Sequence, residues 1–445
     1  MNFKIIKYIL FLTFFMSIQV MFAGTTGKIS GNVKSEANGE ALIGANVMVE
    51  GTPYGAATDL KGNYFILQVP PGNYSVKFAM IGYQTLTVDN VKVRVDLTSS
   101  VDAVLNEGTV GLEEVIVQAE RPMIQTDVTY SQANISSEEV EMLPVEEFED
   151  ILSLQAGVVS SGGEIHVRGG RGGEISYMVD GITVTDPYDS GIAVEIENNA
   201  IQELQFISGT FNAEYGQAMS GIVNIVTKDG NYKNYSGNIS SSLGDYMTID
   251  PIFPELEKSN FNNISDLKAN FEGPIIPEKI SFFASGRINR NDGYLHGEQI
   301  FYPNSYLWSD AQNMFRIDSA IGLGNGDLLL QDSLWSPTDY QDTLFVYIDS
   351  LRNNDQFDWV SMNTSDQLTS QFKLSWRVTP TIKFGYNRMS SNTKSQSYSH
   401  GYRWNPNGRP FSFNTRIGDI IRTDISINQS TFANIMFSNA ENHYR

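Results

Sequence analysis

Apolar and polar residues alternate along most of this chain, and the alternation predicts a protein built mainly from β-strands. Near the N-terminus it appears at Ile29–Val33, Ala45–Val49, Tyr74–Met80 and Val91–Leu97. A period of two is typical of half-buried strands, and the glycines and prolines between these segments indicate turns. Several short strands at this spacing predict a small β-sandwich over residues 25–106.

The central part, residues 121–229, carries both helix and strand signals. Ser136 followed by Glu139 is a capping-box pattern, which predicts the start of one helix, and a second helix is predicted over Val145–Gln155. The pattern then changes to strands joined by a glycine-rich turn at residues 169–173. Because this turn lies between two strands and no helix follows it, the dinucleotide-binding fingerprint is not met. We therefore expect an α/β domain without a nucleotide site.

The C-terminal part, residues 231–445, shows longer and cleaner alternation. It appears at Leu267–Phe271, Ile280–Ile288, Phe372–Val378 and Ile382–Tyr386. Such a pattern is typical of transmembrane β-strands, but half-buried strands of a soluble sandwich produce the same pattern. The stretch 294–365 is long, polar and aromatic, which favours a long extracellular loop.

The N-terminus has the form of a secretory signal peptide. Lys4 and Lys7 precede an apolar run from Tyr8 to Ala23, and cleavage after Ala23 is expected. An uncleaved anchor is the alternative, although the run is short for a transmembrane helix. The rest of the chain contains no candidate transmembrane helix, so a membrane-spanning form would have to be a closed β-barrel.

Composition excludes several classes of function. The chain has 445 residues and a formal net charge of −21, which argues against a nucleic-acid partner because phosphate binding needs a basic surface. It has no cysteine and four histidines, and it lacks both a His-x-x-Glu metal pair and a Gly-x-Ser-x-Gly nucleophile motif. We expect no catalytic residues, no metal site and no cofactor.

Two families resemble parts of this sequence. The run "GEALIGANVMVEGTPYGAATDLKGNYFILQVPPGNYSVKFAMIGYQ" resembles the carboxypeptidase regulatory-like domain, a transthyretin-like β-sandwich. The runs "IHVRGGRGGEISYMVDGITVTDP" and "IQELQFISGTFNAEYGQAMSGIVNIVTKDG" resemble the paired hallmarks of the TonB-dependent receptor plug. The resemblance implies a multidomain, mostly β protein: a transthyretin-like β-sandwich, an α/β plug domain and the first part of an antiparallel transmembrane β-barrel.

The plug resemblance also implies which residues matter in the central domain. Its motif residues, expected to be structural or to contact the barrel, are Arg168, Gly169, Arg171, Asp180, Gly181, Glu214, Tyr215 and Gly216. The guanidinium groups of Arg168 and Arg171 are expected to bond to the barrel wall, because guanidinium favours fixed carboxylate partners.

A short extended segment between the two domains, in the linker 107–120, is a candidate coupling peptide. The pattern of this segment alone favours an ordinary linker strand packed against a neighbouring domain. Its position before the plug resembles that of the TonB box, the peptide that such receptors offer to the energy-coupling protein. The candidate residues are Glu113, Glu114, Val115, Ile116, Val117, Gln118 and Ala119.

The barrel portion is too short for a complete plugged barrel. Such barrels have about 22 strands of about ten residues each. Residues 231–445 hold about six to eight strands by the period-two criterion. The chain also ends in "NAENHYR", without a terminal aromatic residue. We therefore interpret the sequence as the N-terminal portion of a longer barrel.

The expected function is TonB-dependent import across the outer membrane of a Gram-negative bacterium after Sec-type export, with the sandwich in the periplasm. The expected partners are a TonB-type energy-coupling protein, outer-membrane lipid and an unidentified small ligand, which could be a siderophore, vitamin, peptide or glycan. The chain lacks the motif style of the SusC-like glycan subgroup, which counts against a glycan. One alternative is a non-transporting adhesin or surface-organising protein of the same build; another is an exported enzyme with a regulatory sandwich.

Overall fold

The structure is a computed structural model. It describes residues 24–108, 115–118, 131–145, 147–161, 164–186, 188, 190–209, 211, 218–250, 252–253, 255–256, 261–299, 358–428 and 431–445. The predicted signal peptide and most of the long loop 294–365 lie outside the described residues.

The N-terminal residues form a β-sandwich of two sheets. One sheet has the order β4-β1-β7 with β8 also paired to β1, and the other has the order β3-β2-β5-β6-β9. Side chains from both sheets share one apolar core, in which Ile29, Tyr64 and Phe78 are fully buried. The strands are β1 (Gly27–Ser35), β2 (Asn46–Val49), β3 (Gly55–Ala57), β4 (Asn63–Val69), β5 (Gly72–Ala79), β6 (Leu86–Val93), β7 (Thr98–Ser100), β8 (Ala103–Leu105) and β9 (Val115–Gln118).

The strand predicted over Val91–Leu97 ends earlier than its alternation indicated. Strand β6 stops at Val93, and the chain turns at Asp96, whose φ of +56° lies in the left-handed region. Val95 and Leu97 are nevertheless buried. A turn can bury alternate residues as a strand does, so the alternation alone did not distinguish the end of the strand from the turn that follows it.

The central domain is a mixed sheet with two short helices on it. The sheet has the order β10-β15-β16-β13-β14, and β11 and β12 form a separate hairpin. Its elements are β10 (Ser131–Ser136), α1 (Ser137–Met142), α2 (Phe148–Ser153), β11 (Val158–Ser161), β12 (Glu164–Val167), β13 (Ile175–Val179), β14 (Ile182–Thr183), β15 (Ile201–Ser208) and β16 (Gly221–Thr227), with short 3₁₀ helices at Gly172–Glu174 and Asn198–Ala200.

Both predicted helices are present, and the second is shorter than expected. At the start of α1 the backbone N–H of Ser136 donates to the Glu139 carboxylate at 3.0 Å, as the capping-box pattern predicts. Helix α2 covers Phe148–Ser153 and not 145–155, because Glu147 is still extended. The three buried residues of the helix lie within this shorter span, so the helix is only as long as its apolar face.

The C-terminal residues form one antiparallel sheet, called the C-terminal sheet below. Seven strands follow each other in the order β17-β18-β19-β22-β23-β24-β25. A two-stranded sheet, β20 with β21, stands at the ends of the long loop, near 3₁₀ helices at His400–Tyr402 and Pro406–Gly408. The strands are β17 (Ser236–Gly244), β18 (Ile264–Ile276), β19 (Ile280–Asn291), β20 (His296–Gln299), β21 (Asp358–Ser361), β22 (Ser365–Thr379), β23 (Ile382–Ser395), β24 (Ser412–Asn428) and β25 (Thr431–Tyr444).

The two faces of the C-terminal sheet differ in polarity, in the opposite sense to a soluble sheet. On β22 the buried positions carry Thr369, Gln371, Lys373 and Ser375, and the alternate positions, such as Phe372 and Trp376, are exposed. Strand β19 likewise buries Ser281, Ser285 and Arg287, and strand β23 buries Asn387 and Ser391, whereas β17 is exposed along almost its whole length. The exposed apolar side chains include Leu267, Phe271, Ile288, Leu368, Ile421, Ile435 and Phe437. The buried polar face lies against the central domain.

None of the helices in the described part of the chain has the length and apolar character needed to cross a membrane.

Candidate functional site

The candidate site is the interface between the central domain and the polar face of the C-terminal sheet. Its first element is the turn between β13 and β14, where Val179 pairs with Ile182 across only two residues. Asp180 has a φ of +48° and Gly181 a φ of +84°, as a tight type I′ hairpin turn requires. The turn therefore projects a buried aspartate from the end of a fully buried strand.

The Asp180 carboxylate accepts hydrogen bonds from both sides of the interface. Within the central domain it accepts from the backbone N–H of Thr227 at 2.9 Å and from the Thr227 hydroxyl at 2.7 Å. From the sheet it accepts from Lys373 Nζ at 3.1 Å and from Asn387 Nδ2 at 3.0 Å. Asp180 is 3% exposed, so these four donors replace its water.

A second carboxylate, Asp229, binds the same lysine. Lys373 Nζ lies 3.0 Å from Asp229 Oδ1, and Lys383 binds the other oxygen of Asp229. Burial opposes ionisation of Asp229, but Lys373 and Lys383 outweigh it and hold the pKa of this carboxyl well below its usual value. The Asp229 charge is therefore kept at any physiological pH.

The chain passes from the central domain into the C-terminal sheet directly beside this cluster. Gly230 follows Asp229 with a φ of +80°, and a Cβ at this position would lie 2.2 Å from the carbonyl oxygen of Phe282. Only glycine fits both the left-handed conformation and the close approach of backbone to backbone.

A third carboxylate, Glu197, faces an arginine of the sheet. Arg287 on β19 lies 3.6 Å from Glu197 and makes a bidentate contact with Asp266 on β18, the shorter distance being 2.8 Å. Burial raises the pKa of Glu197 to about 7, and Arg287 opposes this shift. All three side chains are almost fully buried.

Two further carboxylates of the central domain complete the pattern. Glu195 accepts from Gln367 Nε2 at 2.6 Å and from the Ser391 hydroxyl at 2.7 Å. Asp186 accepts from the Tyr444 hydroxyl at 3.0 Å and from the Asn442 amide. In each of these contacts that crosses the interface, the central domain supplies the carboxylate acceptor and the sheet supplies the donor. The five carboxylates are Asp180, Asp186, Glu195, Glu197 and Asp229.

Apolar contact across the interface comes from a few large residues of the sheet. Phe283, Met389 and Ile420 belong to the same buried cluster as the core of the central domain. The central domain is thus held by a small apolar contact surrounded by ion pairs and hydrogen bonds.

The arginines of the motif lie elsewhere. Arg168 has a φ of +51°, its backbone N–H donates to the Gly157 carbonyl at 2.7 Å, and its guanidinium lies beside Gly209. The backbone N–H of Arg171 donates to the Glu174 carboxylate at 3.1 Å. No bond joins either arginine to the described strands of the C-terminal sheet, where the contacts come from carboxylates. Gly169, with a φ of +78°, belongs to the same turn.

Some predicted residues lie outside the described part of the chain. These are Glu113, Glu114 and Ala119 of the candidate coupling segment, and Glu214, Tyr215 and Gly216 of the second motif. The remaining coupling residues, Val115–Gln118, form strand β9, which pairs in parallel with Leu86–Asp89 of the sandwich.

The sandwich contacts both other parts of the molecule. The backbone N–H of Val95 donates to both oxygens of Glu203 on β15, at 3.2 and 3.3 Å. The Ser426 hydroxyl of the C-terminal sheet donates to Gln68 at 2.6 Å. A cavity of about 480 Å³ lies where the three parts meet, and Tyr54, Asp229 and Lys383 are among its lining residues.

Comparison with known families assigns the two N-terminal parts. Residues 29–117 match the model of the CarboxypepD_reg-like domain, and residues 124–223 match that of the TonB-dependent receptor plug domain. The chain carries a TonB-dependent receptor plug domain. The plug domain is preceded by a carboxypeptidase regulatory-like sandwich and followed by antiparallel strands, as the resemblance implied.

Curated relatives are similar over about half of this chain. The TonB-dependent transporter Oar of Myxococcus xanthus is 24% identical over 51% of this chain and 23% of its own length. The TonB-dependent receptor SusC of Bacteroides thetaiotaomicron is 30% identical over 48% of this chain and 23% of its own length. Among solved structures, the siderophore receptor PirA from Acinetobacter baumannii is similar with a TM-score of 0.45 and 14% identity, covering 70% of this chain and 40% of that one.

The plug domain's contacts with the sheet could be anticipated only in part from the sequence. Asp180 belongs to the Val-Asp-Gly element, and the structure brings it to the sheet. Sequence reasoning missed Asp186, Glu195, Glu197 and Asp229. The sequence signal for these carboxylates lies in the C-terminal strands. Arg287 and Lys373 occupy inward positions of alternating strands, and a buried cation needs an acidic partner.

Proposed function

We propose that the intact protein imports a ligand across the outer membrane in a TonB-dependent manner. The observation that carries this proposal is the reversed polarity of the C-terminal sheet. A sheet whose exposed face carries Phe372, Trp376 and Ile421 and whose buried face carries Lys373 and Gln371 suits lipid outside and a polar interior. A soluble sheet would bury the apolar face instead.

The interface between the plug domain and the sheet is mostly polar, which suits a domain that moves during transport. The contacts of the plug domain with the sheet are mostly hydrogen bonds and ion pairs between Asp180, Glu195 or Asp229 and polar side chains of the strands. Such groups can exchange a protein partner for water when the plug moves, whereas a large apolar interface would lose its burial. Movement of the plug would open a path along the polar face of the sheet.

Energy for this movement would come from a partner in the periplasm. The segment Glu113–Ala119 lies directly before the plug domain, where a TonB-type coupling protein could pair with an extended strand. Ligand bound outside would prepare the receptor, and a pull on the segment would rearrange the plug. The chemistry of the ligand need not change during import.

Four classes of ligand are candidates. The match to SusC covers 23% of that protein and its name states no ligand, so glycans are tested with the others although the chain lacks the motif style of the SusC-like subgroup. Ferric siderophores, vitamins, peptides and glycans are therefore all tested. The protein would lie in the outer membrane, with the sandwich on the periplasmic side.

Uptake in cells tests the proposal directly. Cells that express the intact receptor are given a labelled ferric siderophore, cobalamin, an oligopeptide or an oligosaccharide, with and without a protonophore. We expect uptake of at least one probe that stops with the protonophore and with deletion of Glu113–Ala119, while surface binding persists. Surface adhesion without energy-dependent uptake of any probe would favour the adhesin alternative.

A further inference from the structure

The candidate coupling segment is already a strand of the sandwich. Val115–Gln118 pairs in parallel with Leu86–Asp89 over all four positions and is the last strand of its sheet. Within the described residues, no strand pairs with the outer edge of β9. An edge strand offers a row of backbone N–H and C=O groups to which a strand of another chain can be added.

Strand β9 also lies beside a strand that belongs to the sandwich core. Val117 is paired with Val88, which is 5% exposed and belongs to the core. Releasing β9 would break its backbone hydrogen bonds to β6 and uncover the edge of β6 next to Val88. Adding a strand to the outer edge of β9 requires neither change, so addition is the easier route to a complex.

Strand β6, which pairs with β9, and the turn that follows it also contact the plug domain. Two residues after β6 ends, Val95 donates its backbone N–H to Glu203 on β15. On β6 itself, Lys92 lies 3.4 Å from Glu139 of helix α1. A contact path therefore runs from β9 through β6 to two elements of the plug domain.

The pairing of β9 with β6 favours transmission of a force applied along the strand. A pull along the axis of β9 would load its hydrogen bonds to β6 together, in shear. A pull across the strands would break the bonds one after another.

We propose that the coupling protein adds a strand to the outer edge of β9 while β9 stays paired with β6, so that the sandwich and the plug domain are pulled as one unit. This inference rests on the coupling role proposed above for the segment. It differs from a release mechanism, in which β9 leaves the sandwich before it is captured.

An engineered disulfide separates the two mechanisms. These 445 residues contain no cysteine, so Asp89→Cys with Gln118→Cys introduces a single pair into this part of the receptor, at paired positions of β6 and β9. Neighbouring strands lie about 4.8 Å apart, which a disulfide can span. The matched control is Asn46→Cys with Ala57→Cys, which joins β2 to β3 in the same sheet, away from β9.

Binding is measured on the intact receptor in detergent. The probe is the periplasmic domain of the TonB-type protein from the same organism, titrated before and after reduction with dithiothreitol. We expect the affinity of the Asp89–Gln118 variant to change by less than about twofold on reduction. A loss of more than about tenfold on oxidation, reversed by reduction and absent from the control, overturns the proposal in favour of release.

Hydrogen exchange on the unmodified receptor gives a second readout that needs no variant to fold. We expect the amides of Leu86–Asp89 to stay protected in the complex, and a loss of their protection on binding also overturns the proposal. Deletion of Glu113–Ala119 distinguishes the two levels of inference. If the deletion variant still binds the probe, the coupling role fails. If the deletion and the oxidised Asp89–Gln118 disulfide both abolish binding, the coupling role stands and the shared edge fails.

Discussion

Lys373 of the C-terminal sheet and Asp180 of the plug domain form a buried ion pair, with 3.1 Å between Nζ and the nearer carboxylate oxygen. The same ammonium group lies 3.0 Å from Asp229 and also donates to the Thr227 hydroxyl at 2.8 Å. One cation thus binds the turn after β13 and the end of β16. This arrangement fixes the position of the plug domain along β22.

Replacing this cation should destabilise the assembly strongly. Lys373→Met removes the charge and leaves two buried carboxylates with one cation fewer, which costs about 3–5 kcal/mol for a broken buried pair. Thermal unfolding of the intact receptor in detergent should show a clear loss of stability.

The control for this variant is Arg290→Met. Arg290 forms an exposed ion pair with Asp366 at 3.0 Å in the same sheet, and exposed pairs contribute about 0–1 kcal/mol. Equal shifts for Lys373→Met and Arg290→Met would contradict the importance of the buried pair.

Gly230 should tolerate no side chain. In Gly230→Ala the new Cβ meets the Phe282 carbonyl oxygen at 2.2 Å in addition to the strain of a positive φ. Gly39→Ala is the matched control, because Gly39 has a φ of +69° and no atom within 4 Å of the added Cβ. The control should lose about 1–2 kcal/mol from conformation alone, and Gly230→Ala should lose more by the same unfolding measurement. Similar losses for the two variants would show that the backbone near Phe282 moves to accommodate a side chain at position 230.

Contact between the sandwich and the plug domain should depend on pH through Glu203. Burial raises the pKa of Glu203 to about 7 from an ordinary value of 4.5, and its bonds to Asn134 and Val95 oppose the shift. The folded protein therefore keeps a proton that the unfolded chain has released between pH 4.5 and pH 7. Stability from this group is full below the lower value and falls as pH rises through the higher one.

The measurement compares melting temperatures at pH 5 and pH 8 for the native receptor and for Glu203→Gln. Burial also raises the pKa of Glu197 to about 7 and that of Glu149 to about 8, but both groups are present in the two proteins. The difference between the proteins therefore isolates Glu203. We expect the native receptor to lose more stability at pH 8 than the variant does; an identical pH profile would count against this role.

The exposed face of the C-terminal sheet should reject charge if it faces lipid. Phe372 lies in the middle of β22 and is 42% exposed, so Phe372→Arg should cost about 2–4 kcal/mol in a bilayer. Phe413→Arg, near the start of β24, serves as the control and should cost about 0–1 kcal/mol if it lies at the membrane surface. The readout is the fraction of intact receptor that assembles into the outer membrane. Normal assembly of Phe372→Arg would indicate a face exposed to water.

Local pattern was enough for the parts of this fold that depend on local chemistry. The alternation at Ile280–Ile288 and Phe372–Val378 predicted β19 and β22, because successive side chains of a strand point to opposite faces. The Ser136 and Glu139 pair predicted the start of α1 for a similar reason, since the cap is made within one turn. The length of the second helix was predicted less well, because α2 covers only the residues of its buried face.

Only the tertiary structure decided which residues meet. The sequence analysis did not single out the plug carboxylates Asp186, Glu195 and Glu197, because their partners lie on strands far along the chain. The sequence also left open which strand Val115–Gln118 would pair with, and the structure pairs it with β6. A chain's local pattern specifies which face of each element is polar, but the partner of that face is set by how the elements pack in three dimensions.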